Sequence, residues 1–327
     1  MRRSSSRALS TNAGQTLGRC KVIGSPDTTV TCLFGDLKQP HDQLRSVINY
    51  YDRTWFDYRW VWLNGENNAI HFGYRDKQGI SHAQSLLNTN RVLADLISIQ
   101  PGERVLDAGC GIGGSAVWLA EQRGATVVGI TPVRTQVLRA RRIVASRNLG
   151  HAVTVAQLDY TATPFADASF DVVWALESVC HAPVKAAFYR ESARLLRPGG
   201  RLVVAEYMRA RRALPSADEM LLRQWLHGWM IPDLDTKEEH SQYALDSGLS
   251  NIEVHDVTAN MRRSLRRLYV LSLAGLPTSR VLHRLRLRGA VSNANVLGSF
   301  YQYRALKRAI WAYGILTASK PLLEHGS

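Results

Sequence analysis

The chain has 327 residues, a formal net charge of +14 and 45% hydrophobic residues. This composition predicts a globular protein with a sizeable core, built as one large domain or two small ones. It argues against a membrane-spanning or secreted chain, because no apolar run approaches the roughly 18 residues that span a bilayer and no apolar signal segment follows Met1. Four scattered cysteines without metal-binding spacing favour a reducing cytoplasm: Cys20, Cys32, Cys110 and Cys180.

The positive charge is concentrated near the end of the chain. The segment from Val257 to Leu323 contains no Asp or Glu and twelve cations. Such a segment predicts an anionic partner, which would be a phosphate group, lipid head groups or nucleic acid; a solvated arginine-rich helical face is the alternative. The cations are Arg262, Arg263, Arg266, Arg267, Arg280, Arg284, Arg286, Arg288, Arg304, Lys307, Arg308 and Lys320.

The first hundred residues divide into two parts. Residues 1–40 read as a basic tail, for which disorder is favoured over a transit peptide. Residues 41–99 are expected to form an aromatic-rich helical lid, although the aromatic residues would equally suit a core helix. Seven of these aromatics fall within thirteen positions: Tyr50, Tyr51, Trp55, Phe56, Tyr58, Trp60 and Trp62.

From residue 100 to residue 207, predicted strands and helices alternate. Alternation of this kind predicts a parallel sheet with helices on both faces. Residues 208–250 are predicted to form a helical insertion, and residues 251–327 to hold the last two strands and a basic helical segment. The predicted strands are Arg104–Ala108, Thr126–Ile130, Val153–Gln157, Phe170–Ala175, Arg201–Glu206, Ile252–Val257 and Ala309–Ser319, with a turn at 197–200 before the fifth.

The stretch VLDAGCGIGGSAVWLA (105–120) predicts a strand, a glycine turn and a helix, which bring backbone N–H groups close to a ligand. A nicotinamide site would need an acidic residue at the end of the next strand, where Thr131 and Pro132 stand instead. Asp107 precedes the glycines and would repel a pyrophosphate. It would attract the cationic amine and sulfonium of S-adenosylmethionine.

At residues 100–207 the chain resembles the class I methyltransferases that use this cofactor. Thr131 with Gln136 resembles the ribose site of small-molecule C-methyltransferases and cyclopropane synthases, and LRPGG (196–200) is common to the superfamily. The resemblance implies a Rossmann-like, mixed, mostly parallel seven-stranded sheet with the lid and insertion described above. It also implies a set of residues that bind the cofactor: Tyr51, Gly73, Asp107, Gly109, Gly111, Gly113, Thr131, Gln136, Asp159 and Tyr160.

The segment ALESVCHAP (175–183), at the end of the fourth predicted strand, resembles the sterol C-methyltransferases, which methylate the sterol side chain. The upstream NAIHFGY (68–74) resembles a region of the sterol and tocopherol methyltransferases, and NYYDRTWF (49–56) resembles the opening segment of the sterol and cyclopropane enzymes. The Gly-Trp-Gly pattern of the sterol enzymes is replaced here by 62–65, WLNG. This departure argues against a sterol itself as substrate.

Methylation of an alkene forms a carbocation, which needs aromatic faces and a nearby carboxylate. We expect Glu177 to stabilise the cation and act as base, with His181 or His71 as proton relay or substrate anchor. Structural roles, as a capping carboxylate and as turn or core histidines, are the alternatives for these three. Residues predicted to bind the substrate are Trp55, Tyr58, Arg262, Arg263, Arg266 and Arg267.

A prenyl diphosphate would use both the aromatic residues and the arginines, which bind phosphate through paired hydrogen bonds. The leading expectation is therefore methylation of an isoprenoid alkene, with cyclisation as an optional second step and a magnesium ion on the diphosphate as an option. No metal site of the protein itself is predicted.

Several alternatives stay open. A sterol or tocopherol-like C-methyltransferase is one, and an O- or N-methyltransferase with His181 as base is another. Nucleic-acid binding is disfavoured, because the positive charge is the only feature of the sequence that suggests it. The basic and apolar stretch 262–288 would suit peripheral membrane contact. The sequence does not fix the oligomeric state, for which a homodimer is one option.

Overall fold

The computed structural model describes residues 40–61 and 67–322. The predicted tail, the WLNG segment and the last five residues lie outside this range, apart from Pro40. The described part contains nine α-helices, α1 to α9, in the following order: Pro40–Val61, His82–Leu96, Gly114–Arg123, Arg134–Ser146, Lys185–Leu195, Ser216–Gly228, Lys237–Asp246, Thr258–Arg284 and Ala290–Lys307.

Seven strands form one mixed sheet in the order β3-β2-β1-β4-β5-β7-β6. Strands β1 to β5 are parallel, whereas β7 runs antiparallel to both β5 and β6. This arrangement confirms the predicted class I methyltransferase fold. The strands β1 to β7 are Arg104–Ala108, Thr126–Thr131, Val153–Gln157, Phe170–Leu176, Leu196–Arg209, Ser250–Asp256 and Trp311–Ser319.

The central strand β4 is buried on both sides, so the sheet has an apolar layer on each face. Trp174 of β4 joins the core on one face, and Val173 joins the core on the other. Alternate residues of a strand point to opposite faces, so a strand covered by helices on both faces is apolar throughout. This packing fixes the position at which β4 ends and the chain turns.

The prediction of a turn at residues 197–200 is wrong, because β5 already begins at Leu196. Leu196 pairs with Phe170, and the register shifts before Val172 meets Arg201. Gly199 takes a φ of +76° and donates its N–H to the carbonyl of Lys320 at 2.9 Å. The glycine thus accommodates an irregularity within the strand.

Of the helices after β5, α6, α8 and α9 pack mainly on one another, whereas α7 packs on α5, β6 and β7. Helix α9 contacts α1, α6 and α8, so the first helix of the predicted insertion and the C-terminal helical segment form one layer. Among the described helices, none is sufficiently long and apolar to cross a membrane.

Candidate active site

Two neighbouring cavities open where the parallel strands end. The first, of about 340 Å³, is lined by residues that follow β1, β2, β3 and β4. The second, of about 440 Å³, lies between the end of β4 and the helices α1, α8 and α9. Four residues line both cavities: Tyr51, Ile70, Glu177 and His181. A group in one cavity would therefore lie next to a group in the other.

The glycine turn after β1 forms part of the first cavity. Gly109 and Gly111 line it, with φ angles of +90° and +54°. A Cβ atom on Gly109 would lie 2.3 Å from the Cβ of Ser178. The turn therefore requires glycine at position 109 both for its conformation and for its contact with the segment after β4.

Asp107 at the end of β1 is the buried acid of the first cavity. Its side chain is almost fully buried, and its Oδ2 has no hydrogen-bond partner within the described residues. Burial raises the pKa of this carboxyl to about 7. An unpaired buried carboxylate is costly unless a cation binds beside it. The residue therefore fits a ligand with a positive charge, as S-adenosylmethionine has.

The predicted ribose and adenine residues also line the first cavity. The hydroxyl of Thr131 donates to Oε1 of Gln136 at 2.7 Å, and both side chains are buried. Asp159 lines the cavity while its Oδ1 accepts from the N–H and the hydroxyl of Thr161, both at 2.8 Å. Tyr160 lines the cavity and donates to the carbonyl of Ser178 at 2.8 Å.

Two predicted cofactor residues do not line the first cavity. A Cβ on Gly73 would lie 2.1 Å from Oγ of Ser85, so this glycine allows close packing against α2. Gly113 precedes α3, and a Cβ there would lie 3.3 Å from the Cβ of Ala140. Gly73 therefore needs glycine for packing, and Gly113 needs it mainly for its φ of +86°. Contact of these two glycines with the cofactor stays a prediction.

Glu177 lies at the junction of the two cavities. Its Oε1 accepts from the N–H of Phe72 and the hydroxyl of Tyr313, each at 2.8 Å, and its Oε2 accepts from the hydroxyl of Tyr207. The backbone φ of Glu177 is +50°, which is uncommon for any residue except glycine. Backbone strain of this kind often accompanies a functional position.

The pKa of Glu177 is raised to about 8, mainly because the carboxyl is buried. The hydrogen bonds from Tyr207, Phe72 and Tyr313 lower the pKa and offset part of this effect. The three donors favour the charged form, whereas burial disfavours it. Glu177 therefore resembles a carboxylate prepared to face a positive charge.

Both tyrosines around Glu177 come from paired strands. Tyr207 of β5 lies opposite Tyr313 of β7 in the antiparallel register. The N–H of Glu177 donates to the carbonyl of Ala205 at 2.9 Å, which ties the end of β4 to β5. Nearby, buried Glu206 accepts a hydrogen bond from the N–H of Cys180 at 2.8 Å and so holds the start of residues 180–183. None of Tyr207, Glu206 and Tyr313 was predicted as a site residue.

The two predicted histidines reach the cavities as uncharged groups. Nε2 of His181 lies 3.0 Å from the hydroxyl of Tyr51, and His181 lines both cavities. His71 lines the first cavity, and its Nδ1 lies 3.0 Å from the carbonyl of Phe72. Burial lowers the pKa of each histidine to about 4. Both imidazoles are therefore neutral near pH 7.

The second cavity has an aromatic wall that includes the predicted Tyr58. Trp55, also predicted, does not line it, because this indole packs on the guanidinium of Arg139 at 3.8 Å from the ring centre. Its position on α1 points it towards α4, and its role in substrate binding stays a prediction. The aromatic residues that line the cavity are Tyr50, Tyr51, Phe56, Tyr58, Phe72, Tyr207 and Trp229.

The four arginines predicted to bind a diphosphate lie on α8 away from both cavities. Arg262, Arg263 and Arg266 are exposed, and Arg267 donates to the carbonyl of Val61 at 3.0 Å. The buried face of this helix is instead formed by residues such as Met261 and Leu265. The spacing of Arg262, Arg263 and Arg266 thus places them on the solvent face of α8, and none of the four arginines lines either cavity. The described residues also contain no His, Cys, Asp and Glu cluster suited to a metal ion.

Comparison with known proteins gives three relevant similarities. A family model described as a methyltransferase domain matches residues 106–204. Methyltransferase GfsG of Streptomyces halstedii is 31% identical over 279 residues, which cover 85% of this chain and 95% of that protein. Sterol 24-C-methyltransferase erg6 of Schizosaccharomyces pombe is 36% identical over 168 residues, covering 51% of this chain and 43% of that protein.

Among solved structures, the [4+2]-cyclase SpnF superposes with a TM-score of 0.70 and 26% identity, covering 84% of this chain and 95% of that protein. The similarity to GfsG extends over nearly the whole of that protein, and the residues matched by the family model include Asp107 and Glu177. The chain therefore belongs to the class I S-adenosylmethionine-dependent methyltransferases and is an enzyme of that family.

Proposed function

We propose that the enzyme is a C-methyltransferase that methylates an alkene carbon of an apolar, isoprenoid-type acceptor. The observation that carries the proposal is the position of Glu177, a buried carboxylate that lines both cavities. The cofactor supplies an electrophilic methyl group attached to a sulfonium. Its proposed contacts are Asp107, Gly109, Gly111, Thr131, Gln136, Asp159, Tyr160 and Tyr51.

The second cavity matches the needs of a carbocation. Attack by an alkene carbon on the cofactor's methyl group would form the new carbon–carbon bond, break the methyl–sulfur bond with S-adenosylhomocysteine as the leaving group, and leave a positive charge on the neighbouring carbon of the acceptor. Aromatic faces stabilise a cation, and an apolar wall keeps out the water that would trap it. Loss of a proton from the product cation to Glu177 would restore a neutral alkene. The reaction thus needs a carboxylate and an aromatic enclosure in one place.

Helix α1 supports the proposal that residues 41–99 include a lid. It supplies Tyr51 to both cavities, and it supplies Tyr50 and Tyr58 to the second cavity only. These rings form part of the wall that separates the reacting groups from solvent. In this role α1 would be both a packed helix and a cover of the site.

The test is product analysis with cofactor carrying a CD3 group. Purified enzyme should transfer the label to carbon in at least one member of a panel of isoprenoid alkenes, and NMR should show no label on oxygen. A folded enzyme that labels oxygen or nitrogen, and leaves every alkene unmodified, would contradict carbon methylation.

The raised pKa of Glu177 predicts a pH dependence. A carboxyl with a pKa near 8 is mostly protonated at pH 7 and becomes charged above pH 8. The charged form stabilises a cation, so kcat/KM for the cofactor should rise with pH through about 8. A bound sulfonium favours the charged carboxylate, so the corresponding rise of kcat with pH should occur at lower pH.

Tyr313→Phe should shift the rise of kcat/KM to higher pH, because it removes a hydrogen bond that lowers the pKa of Glu177. Tyr301→Phe is the matched control, since Tyr301 lies on α9 and does not line either cavity. Equal pH profiles for the two variants would show that the Tyr313 hydroxyl does not set the charge of Glu177.

O-methylation is a second candidate function, favoured by His181. An imidazole at the junction of the cavities is placed to accept a proton from an acceptor hydroxyl, although burial lowers its pKa to about 4 and so makes it a weak base. The proposal predicts CD3 on oxygen of a hydroxylated acceptor and loss of that activity in His181→Gln. The same labelling experiment therefore separates the two candidates.

A further inference from the structure

A second polar cluster lies in the wall of the second cavity, formed by Tyr50, Asp57, Tyr58, Arg288 and Asn295. Nη2 of Arg288 donates to both oxygens of Asp57 at 2.8 and 2.7 Å. Nδ2 of Asn295 donates to the same carboxylate at 3.0 Å, and the hydroxyl of Tyr50 donates to Oδ1 of Asn295 at 2.7 Å. We call these five residues the Asp57 cluster.

The Asp57 cluster is charge-neutral. The side chains of Arg288 and Asp57 are 17% and 13% exposed, so each charge is compensated mainly by the other. Among the described residues that line the second cavity, Arg288 is the single lysine or arginine, whereas Asp57 and Glu177 both supply carboxyl groups. A diphosphate in this cavity would therefore be buried without enough positive charge to balance it.

The cluster nevertheless retains hydrogen-bonding capacity. Nε of Arg288 is buried and has no hydrogen-bond partner within the described part of the chain. A buried donor without a partner costs free energy, and an oxygen atom of a ligand that reached it would recover this cost. The hydroxyl of Tyr50 donates to Asn295, so the hydroxyl of Tyr58, 3.0 Å away, donates to Tyr50, and both oxygens keep lone pairs that can accept from a ligand. Such a set suits a neutral oxygen group.

We propose that the Asp57 cluster binds the hydroxyl or carbonyl group of the acceptor, and that the acceptor is an uncharged oxygenated lipid-like molecule. This inference rests on the proposed function and specifies its substrate class. It replaces the prenyl diphosphate expected from the arginine content. The aromatic wall would hold the hydrocarbon chain while the cluster fixes its polar end and so places the alkene beside Glu177.

The first experiment measures binding to the wild-type enzyme loaded with S-adenosylhomocysteine. Farnesol and farnesyl diphosphate share the same hydrocarbon part and differ in the head group, and Trp229 in the cavity wall provides a fluorescence signal. We expect farnesol to bind at least about tenfold more tightly than farnesyl diphosphate, because the charge of the diphosphate would be buried without a compensating charge. Equal or tighter binding of the diphosphate, or no binding of farnesol, would overturn the proposal.

The second experiment changes the charge of the cluster. Asp57→Asn leaves Arg288 uncompensated, so the ratio of farnesol to diphosphate affinity should fall by about tenfold or more. Asp52→Asn is the matched control, because Asp52 lies on the same helix but is exposed and does not line either cavity. The assignment would be contradicted if this affinity ratio fell equally in both variants, or if both variants folded and the ratio fell in neither.

These measurements separate two kinds of failure. Binding preference tests the Asp57 cluster without requiring methyl transfer, whereas the position of the CD3 label tests carbon methylation. An enzyme that prefers farnesol but methylates only oxygen would support the cluster and refute the proposed reaction. An enzyme that methylates the diphosphate on carbon would support the reaction and overturn the proposed head-group site.

Discussion

Replacing Glu177 with Gln is expected to lower kcat by roughly 10²–10³-fold, the size of effect seen when one transition-state electrostatic contact is removed. Gln keeps the size of the side chain but removes the negative charge that faces the cation. Cofactor affinity should change far less, because Asp107 remains. The measurements are single-turnover rates with saturating cofactor and the dissociation constant of S-adenosylmethionine.

Glu177→Asp is the informative partner of this variant. Asp keeps the charge and tolerates the left-handed backbone of φ +50° better than most residues, so the variant should fold. Its shorter side chain withdraws the carboxylate from the cavity junction, so its rate should fall between those of wild type and Glu177→Gln. A folded Glu177→Gln enzyme with wild-type kcat would remove this carboxylate from the mechanism.

Replacing Asp107 with Asn is expected to weaken S-adenosylmethionine binding by about 10- to 100-fold, which corresponds to loss of a charge-assisted hydrogen bond of about 1.5–3 kcal/mol. The unpaired Oδ2 of Asp107 is the atom that a cationic ligand would satisfy. Isothermal titration with the cofactor measures this change, and Asp52→Asn is the surface control.

The pH dependence gives an independent readout for Asp107. Its carboxyl, with a pKa near 7, is mostly protonated at pH 6 and loses its proton when a cation binds. Wild-type affinity should therefore rise from pH 6 to pH 8, whereas the affinity of Asp107→Asn should vary less. An Asp107→Asn protein with wild-type affinity and an unchanged pH profile would refute the cofactor contact.

Much of the fold follows from local patterns in the sequence. The predicted strands at 104–108 and 153–157 match β1 and β3, because each is a short apolar run between turn signals. The prediction of a turn at 197–200 was wrong because a proline followed by two glycines occurs both in loops and in irregular strands. Pairing with distant Lys320 decided the outcome.

The candidate site was predicted in part. Asp107 lies near the end of one predicted strand and Glu177 follows another, so the topology alone places both at one end of the sheet. Tyr207 and Tyr313 were missed because they meet through pairing of strands about a hundred residues apart. The available signal was a tyrosine directly after Glu206, near the end of β5, where the sheet opens towards the site.

The arginines show where charge counting misleads. Net charge along a segment reports an electrostatic surface, but it does not tell which side chains enter a cavity. On α8 the apolar residues take the buried face, so Arg262 and Arg266 face solvent. Arg288 does reach the second cavity, but Asp57 from α1 neutralises it.

The central claim is that Glu177 stabilises a positive carbon in the second cavity, and a cation mimic tests it most directly. A prenyl dimethylamine carries a protonated nitrogen where the reaction would form the cation, and the matching saturated hydrocarbon is neutral. With S-adenosylhomocysteine bound, wild type should bind the amine at least about tenfold more tightly than the hydrocarbon, and Glu177→Gln should lose this preference. Equal preference in the two proteins would contradict the account.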